Sequence, residues 1–407
     1  MRIVLVALLL VACTPSAVTS TPGPSASATS TVEPSAAPTE TPRDIRLTAA
    51  GEFQGQHALV QQWTYEQDFD RGTIHIWDAP LAGSLPRELV TYHRGPQIAT
   101  QGDISDIARQ LSPDGRKLVV ADALDVAGTG FFVIDLVSGS AVSIVTNGSA
   151  DQLAWSPDGK RIAFRGFTVN PPLNRETGIW VVDAAGGAPV QVWTSDVPPG
   201  TGATQMRGWT GDSSGIAISR DSTSVSLIDV TARTIKLIAS GYIPGIAFRA
   251  KRPAVAIATS DPQPQSSPRG APGNIGAPGR LEIRDEPSGA SRTAFDHPNV
   301  GTLLWGPTWS PTSDEVLLHW VCGAGAAERD ELVVVDAVKS SSRTMPVSGC
   351  VRSVSWSPDG AKILYSLFES VRVRNADGSG DKELFRPALP QGATQSYIGG
   401  VTGFAGR

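Results

Sequence analysis

Gly211-Asp212-Ser213-Ser214-Gly215 fits Gly-x-Ser-x-Gly, the pattern that lifts a nucleophilic serine onto an elbow between a strand and a helix. The residues that follow, Ile216-Ala217-Ile218, read as strand, so a plain turn is expected instead. The five histidines are His57, His75, His93, His297 and His319. No two have the His-x-x-x-His or His-Glu-x-x-His spacing that puts two imidazoles on one helix face, so no zinc site is expected. They read as scattered surface or strand histidines. No glycine-rich loop runs into Lys-Ser or Lys-Thr, so no phosphate cradle is expected. Hence no catalytic residue, no cofactor and no metal ligand is expected, and the chain is expected not to be an enzyme.

The turn reading of Gly211–Gly215 gains weight because the same frame recurs. Trp155-Ser156-Pro157-Asp158-Gly159 leads into Lys160-Arg161-Ile162-Ala163-Phe164. Leu111-Ser112-Pro113-Asp114-Gly115 and Trp356-Ser357-Pro358-Asp359-Gly360 do the same before Leu118-Val119-Val120 and Ile363-Leu364-Tyr365. Trp309-Ser310-Pro311 opens a degraded copy, and Trp209 and Phe248 open two weaker ones. Proline pre-sets φ for a turn, and glycine takes positive φ at no steric cost. Asp114, Gly115, Asp158, Gly159, Asp359 and Gly360 are therefore expected to be structural. The anchors Leu111, Trp155, Trp209, Phe248, Trp309 and Trp356 are 44, 54, 39, 61 and 47 residues apart. One propeller blade takes about 40–50 residues. The four tryptophans among them are expected to pack blade against blade rather than line a ligand site.

A second theme closes each unit: Val133-Ile134-Asp135, Val181-Val182-Asp183, Leu227-Ile228-Asp229 and Val334-Val335-Asp336. Continuous apolar runs mean that both faces of the sheet are covered. The aspartates are expected to cap the next turn. Seven units follow from about Asp44 onward, the fifth carrying a Pro/Gly/Ser/Gln loop from Asp261 to Gly279. The ring is expected to close through Gln395–Phe404 as the innermost strand of the first unit, with Asp44–Ala49 as the other option.

The N-terminal part is different. Met1-Arg2 and an apolar run from Ile3 to Ala12 have signal-peptide length, short of the roughly 20 residues of a spanning helix. Leu10-Val11-Ala12-Cys13 resembles the bacterial lipobox, which implies cleavage before Cys13 and lipidation of it. Thr14 to Arg43 is nearly all Ser, Thr, Pro, Ala and Gly, a composition that builds no core and reads as a tether. The expected division is a signal peptide over 1–12, lipidated Cys13 and tether over 13–43, and a propeller over 44–407. Of the three cysteines, Cys322 and Cys350 then remain, and an even pair in an exported domain favours a disulfide.

The Trp-Ser-Pro-Asp-Gly-Lys-Arg-Ile-Ala-Phe repeat with its Val-Val-Asp strand is similar to the WD-repeat-like propeller repeats of the TolB family. The resemblance implies an all-β fold, a seven-bladed propeller of four-stranded antiparallel blades. TolB carries an α/β domain before its propeller where this chain has the tether, so TolB's envelope role and its Pal partner are not implied here. Acidic and basic residues nearly balance, 39 against 34, for a net charge of −5, which argues against nucleic acid as partner. The expected function is a lipid-anchored extracytoplasmic scaffold that binds a protein or an envelope polymer. The alternative is a hydrolase or lyase with a dispersed site in the central funnel, which would leave no local motif.

Overall fold

The computed structural model describes residues 45–65, 72–94, 107–121, 130–146, 148–168, 175–196, 204–220, 223–260, 279–287, 289–297, 304–320 and 329–406. Cys13, the tether, most of the Asp261–Gly279 loop and Cys322 lie outside them. The described strands form seven antiparallel sheets, the seven blades of a propeller. Blade 3 shows the plan: Ser149–Trp155 innermost, then Arg161–Thr168, Arg175–Asp183 and Val190–Thr194 outermost. Blades 4 to 7 repeat it, with inner strands Gln205–Trp209, Tyr242–Phe248, Leu304–Trp309 and Ser353–Trp356.

In blades 3 to 7 the inner strand runs into a tight turn at one end of the blade, and blade 2 has the same turn after Leu111. In blade 2 the Ser112 hydroxyl donates to Asp114 (2.6 Å), and Asp114 accepts the Arg116 N–H (3.1 Å). The Gly115 N–H returns to the Ser112 carbonyl at 2.8 Å, with φ of +73° at Gly115. Ser156–Arg161 and Ser357–Lys362 repeat these bonds. Thr210–Gly215 does so as well, with Ser213 at φ +63° in the glycine's place. The Gly-x-Ser-x-Gly match is thus a turn between strands. The Ser357 hydroxyl, with further hydrogen bonds, holds the Asp359 carboxyl below its ordinary range. At Asp158 burial pushes the other way, and the bonds from Ser156 and the Lys160 N–H outweigh it. The end at which the second strands finish and the third strands begin is the opposite face, the crossover face.

The buried side chains sort into seven apolar clusters, one for each seam between neighbouring blades. Seven seams for seven blades means that the ring is closed. Each buried Val, Ile, Leu or Phe contributes about 1.5–3 kcal/mol, so no blade is stable without its neighbours. The repeat tryptophans bracket these seams. Trp209 Nε1 donates to the Ala154 carbonyl (3.1 Å), Trp309 to Ala247 (3.1 Å) and Trp356 to Thr308 (3.0 Å). Each acceptor is the residue just before the preceding blade's anchor.

Closure uses the C-terminal strand. Gln395–Ala405 pairs with Gln56–Tyr65 as the innermost strand of blade 1. Arg46–Leu47 instead adds a fifth strand outside Arg87–Arg94. Between blades 7 and 1 the bracket is inverted: the Val401 and Gly403 N–H groups donate to Ser353 and Ser355 hydroxyls at 2.9 and 3.3 Å.

Blade 2 departs from the plan. Its sheet has three strands, Lys117–Ala121, Gly130–Asp135 and Ser140–Val145, and Leu111 makes a single bridge to Leu118. A one-turn helix, α1 (Ile107–Gln110), takes the place of the inner strand. Trp155 is the next anchor along, and its buried Nε1 has no hydrogen-bond partner among the described residues. The carbonyl it would use belongs to the strand that α1 replaces.

Replacing Trp209, Trp309 or Trp356 by Phe should cost about 1 kcal/mol more than Trp155→Phe, because only the first three lose a hydrogen bond along with ring area. Urea unfolding of the four variants measures this. Equal losses would mean that the indole brackets contribute nothing.

Candidate functional site

In register with the closing residue of the third strand, the fifth residue of the second strand can be compared between blades. Pairings such as Arg161 with Asp183 and Lys117 with Asp135 set the frame. The position holds Ala121, Arg165, Ser219, Thr259, His319 and Ser366 in blades 2 to 7. Arg165 stands out, a full cation only 1% exposed.

Its neighbours satisfy it. Nε and Nη2 donate to the two oxygens of Asp151 at 2.8 and 2.5 Å, a planar two-point pairing. Nη1 donates to the Thr204 carbonyl and lies 4.0 Å from Glu176 Oε2. The guanidinium sits 4.9 Å over the Phe167 ring. Glu176, buried on the third strand of blade 3, accepts the Thr204 N–H through Oε2 at 2.9 Å. Thr204 stands on the crossover into blade 4. Gln152 donates to the same Thr204 carbonyl at 3.3 Å and accepts the Met206 N–H. It holds φ of +49°, beside a bulge in its inner strand, which costs of order 1–3 kcal/mol in a non-glycine residue. Bulges of this kind re-aim side chains.

From the other side comes α1. Arg109 donates Nη1 to the Met206 carbonyl of blade 4 at 2.7 Å, past blade 3. Its guanidinium therefore spans the inner edge of blade 3, and Ala108 beside it is exposed. Arg109, Asp151, Gln152, Arg165, Glu176 and Thr204 thus form one polar sector at the crossover face of blades 2 to 4. None was singled out from the sequence. The signal that was there is Arg165, a charge directly after the apolar run Ile162-Ala163-Phe164 and still within the same strand.

The histidines are more organised than scattered strand residues. His57 is clamped between Asp78 (2.7 Å) and the Gln54 carbonyl (3.0 Å), with Arg87 on the far oxygen of Asp78. His75 bridges Glu88 and the Thr64 hydroxyl (3.1 Å), a hydroxyl–imidazole–carboxylate line. The Thr64 hydroxyl donates on to the Thr73 carbonyl inside the sheet at 3.3 Å, so these bonds hold strands together. His297 faces Glu331 at 3.6 Å. The His93 side chain lies outside the described residues.

Blade 6 has a second buried carboxylate and imidazole on its face toward blade 7. Asp330 accepts the Val351 N–H on the crossover, as Glu176 does for Thr204. Burial pushes its pKa up to about 6, with that bond pulling back. Burial pushes His319 down to about 4, and its Nδ1 has no partner. Cys350, next to Val351, is disulfide-bonded, and Cys322, the expected partner, is outside the described residues. Among the described residues no group of three or more His, Cys, Asp or Glu could hold a metal ion. A shallow depression on the outer part of blade 4, lined by Ile218, Arg220, Ile235 and Leu237, lies away from this chemistry.

No family model and no curated relative matches this chain. Solved structures match the fold. An oligogalacturonate lyase in complex with manganese is 13% identical, with a TM-score of 0.52 over 84% of this chain and 89% of that one. A protein assigned as a 6-phosphogluconolactonase from Bacteroides uniformis is 10% identical, with a TM-score of 0.52 over 85% and 100%. TolB from Acinetobacter baumannii is 12% identical, with a TM-score of 0.42 over 88% and 81%, too distant to bring its role to this chain. The wheel expected from the TolB-like repeats is present. The expectation that the chain is not an enzyme is corrected: wheels of this fold among its neighbours are enzymes. The missing motif was its ground, and a site spread over several blades writes none.

The two buried groups of blade 6 pull stability in opposite directions with pH. Asp330 binds its proton more tightly when folded, so its contribution falls as pH rises from about 4 to 6. His319 binds its proton less tightly when folded, so its contribution falls as pH drops from 6.5 to about 4. His319→Asn should therefore gain stability relative to the parent on acidification from pH 6 to 4.5, and Asp330→Asn should lose it. Each slope should approach 1.4 kcal/mol per pH unit. Urea midpoints across that range decide it, and parallel profiles for all three proteins would refute the assignment.

Proposed function

We propose that this chain is a lipid-anchored, extracytoplasmic propeller of a bacterial cell envelope. Its function is to hold a polar ligand at the crossover face of the wheel, in the sector of blades 2 to 4. The observation that carries the reading is the one break in the repeat. There α1 replaces an inner strand, Arg109 reaches across to blade 4, and Gln152 keeps a strained backbone. Departures from local rules that packing does not require are where function is expected. The membrane part of the proposal rests on Leu10-Val11-Ala12-Cys13 and the tether after it. Several acyl chains on one cysteine would anchor firmly, at about 0.8 kcal/mol for each buried methylene. The pairing of Cys350 with Cys322 belongs to the same proposal, since an exported domain keeps its disulfides.

A second reading makes the ligand a substrate. The carboxylates of Asp151 and Glu176 beside two arginines favour it, being groups that move protons and stabilise negative charge. Wheels of this fold among the solved structures include an oligogalacturonate lyase.

Cys13→Ser should move the protein from the membrane fraction to the soluble extracytoplasmic one. Retention in the membrane would remove the anchor. A photoreactive p-benzoylphenylalanine placed at Ala108, on α1, should form adducts in native cells, and the same residue at Val142, on the outer strand of blade 2, should not. Adducts only at Val142 would take the ligand away from this sector.

A further inference from the structure

Resting on that reading, we propose that the seam between blades 3 and 4 contains a subsite for a hydroxyl group. Glu176 and Thr204 build it and Arg165 positions it, and the ligand class proposed for it is a carbohydrate.

Two buried atoms point to it. Glu176 Oε2 takes the Thr204 N–H, but among the described residues Oε1 has no partner, and neither has the Thr204 hydroxyl oxygen. Both residues are more than nine-tenths buried, at 7% and 0% exposure. The bond at Oε2 places the two orphaned atoms in the same corner. The rest of the corner is occupied. The Thr204 carbonyl receives Arg165 and Gln152 and so uses both lone pairs. Arg165 is engaged by Asp151 on two nitrogens. The network meets solvent at the Asp151 side chain, which is 28% exposed.

The chemistry of the missing partner follows from what the two atoms need. A carboxylate oxygen only accepts, and a threonine hydroxyl has one proton to give. One hydroxyl group serves both, donating to Glu176 Oε1 and accepting from Thr204 Oγ1. An ammonium group has no lone pair, so it would leave the Thr204 proton without an acceptor. A phosphate or carboxylate would set negative charge against Glu176. A trapped water could make the same two bonds, and the test must separate it from a ligand.

The full-length protein in detergent is titrated calorimetrically with maltose, cellobiose, N,N′-diacetylchitobiose and digalacturonate. Cadaverine serves as the cation control and inorganic phosphate as the anion control. At least one saccharide should bind saturably, and neither control should. Thr204→Val keeps the N–H bond to Glu176 and removes only the hydroxyl. It and Glu176→Gln should each weaken that saccharide at least tenfold, with thermal midpoints close to the parent's. Arg109→Met tests the sector independently. Loss of binding in Arg109→Met, with Thr204→Val and Glu176→Gln unchanged, overturns the subsite and leaves the sector standing. Binding indifferent to all three overturns both. A preference for cadaverine overturns the hydroxyl chemistry. No saccharide binding, with Thr204→Val more heat-stable than the parent, means a structural water only and also overturns the proposal.

Discussion

The contact between one blade and the next carries this protein. A four-stranded sheet with apolar side chains on both faces cannot stand in water, and seven apolar seams remove that exposure in turn. Burial is non-directional and would tolerate sliding of one sheet over another. The indole-to-carbonyl bonds supply direction, since each fixes the height of a blade against its predecessor. Turn glycines tighten the same fit. A Cβ at Gly360 would lie 2.3 Å from the Thr312 hydroxyl of blade 6, and one at Gly115 would lie 2.7 Å from Phe404 of blade 1. Packing at that range leaves each blade one position.

Against such a regular frame, irregularity is conspicuous. A buried arginine, a buried glutamate with an idle oxygen and a glutamine in the left-handed region all fall in one sector. Another buried acid, Asp330, shows what the bare architecture asks for: a carboxylate that ties down a crossover N–H. Glu176 performs that task with one oxygen and has the other left over. The comparison separates what holds the wheel from what the wheel can hold.

Much of the wheel was legible because its turns are written in residues with fixed backbone habits. Ser156-Pro157-Asp158-Gly159 states its own hydrogen bonds, and even Thr210-Gly211-Asp212-Ser213 keeps them once the frame is known. The inner strand of blade 2 was not legible. Ala108, Arg109 and Gln110 are good helix formers, and that local preference won where the repeat suggested a strand. Arg165 could have been found by aligning the second strands of the blades. Glu176 and Thr204 could not, because they are 28 residues apart and meet only through a crossover whose path no local pattern records. The same limit weakens the expectation of no enzyme, since a missing contiguous motif says nothing about a site assembled across blades.

The clasp of Gln395–Ala405 against Gln56–Tyr65 has a temporal side. Blade 1 lacks its axial strand until Gln395–Ala405 has been made, so the circle stays open until then. Joining ends more than three hundred residues apart is entropically costly, though the cost grows only with the logarithm of the span. Ring closure thus waits on that one strand.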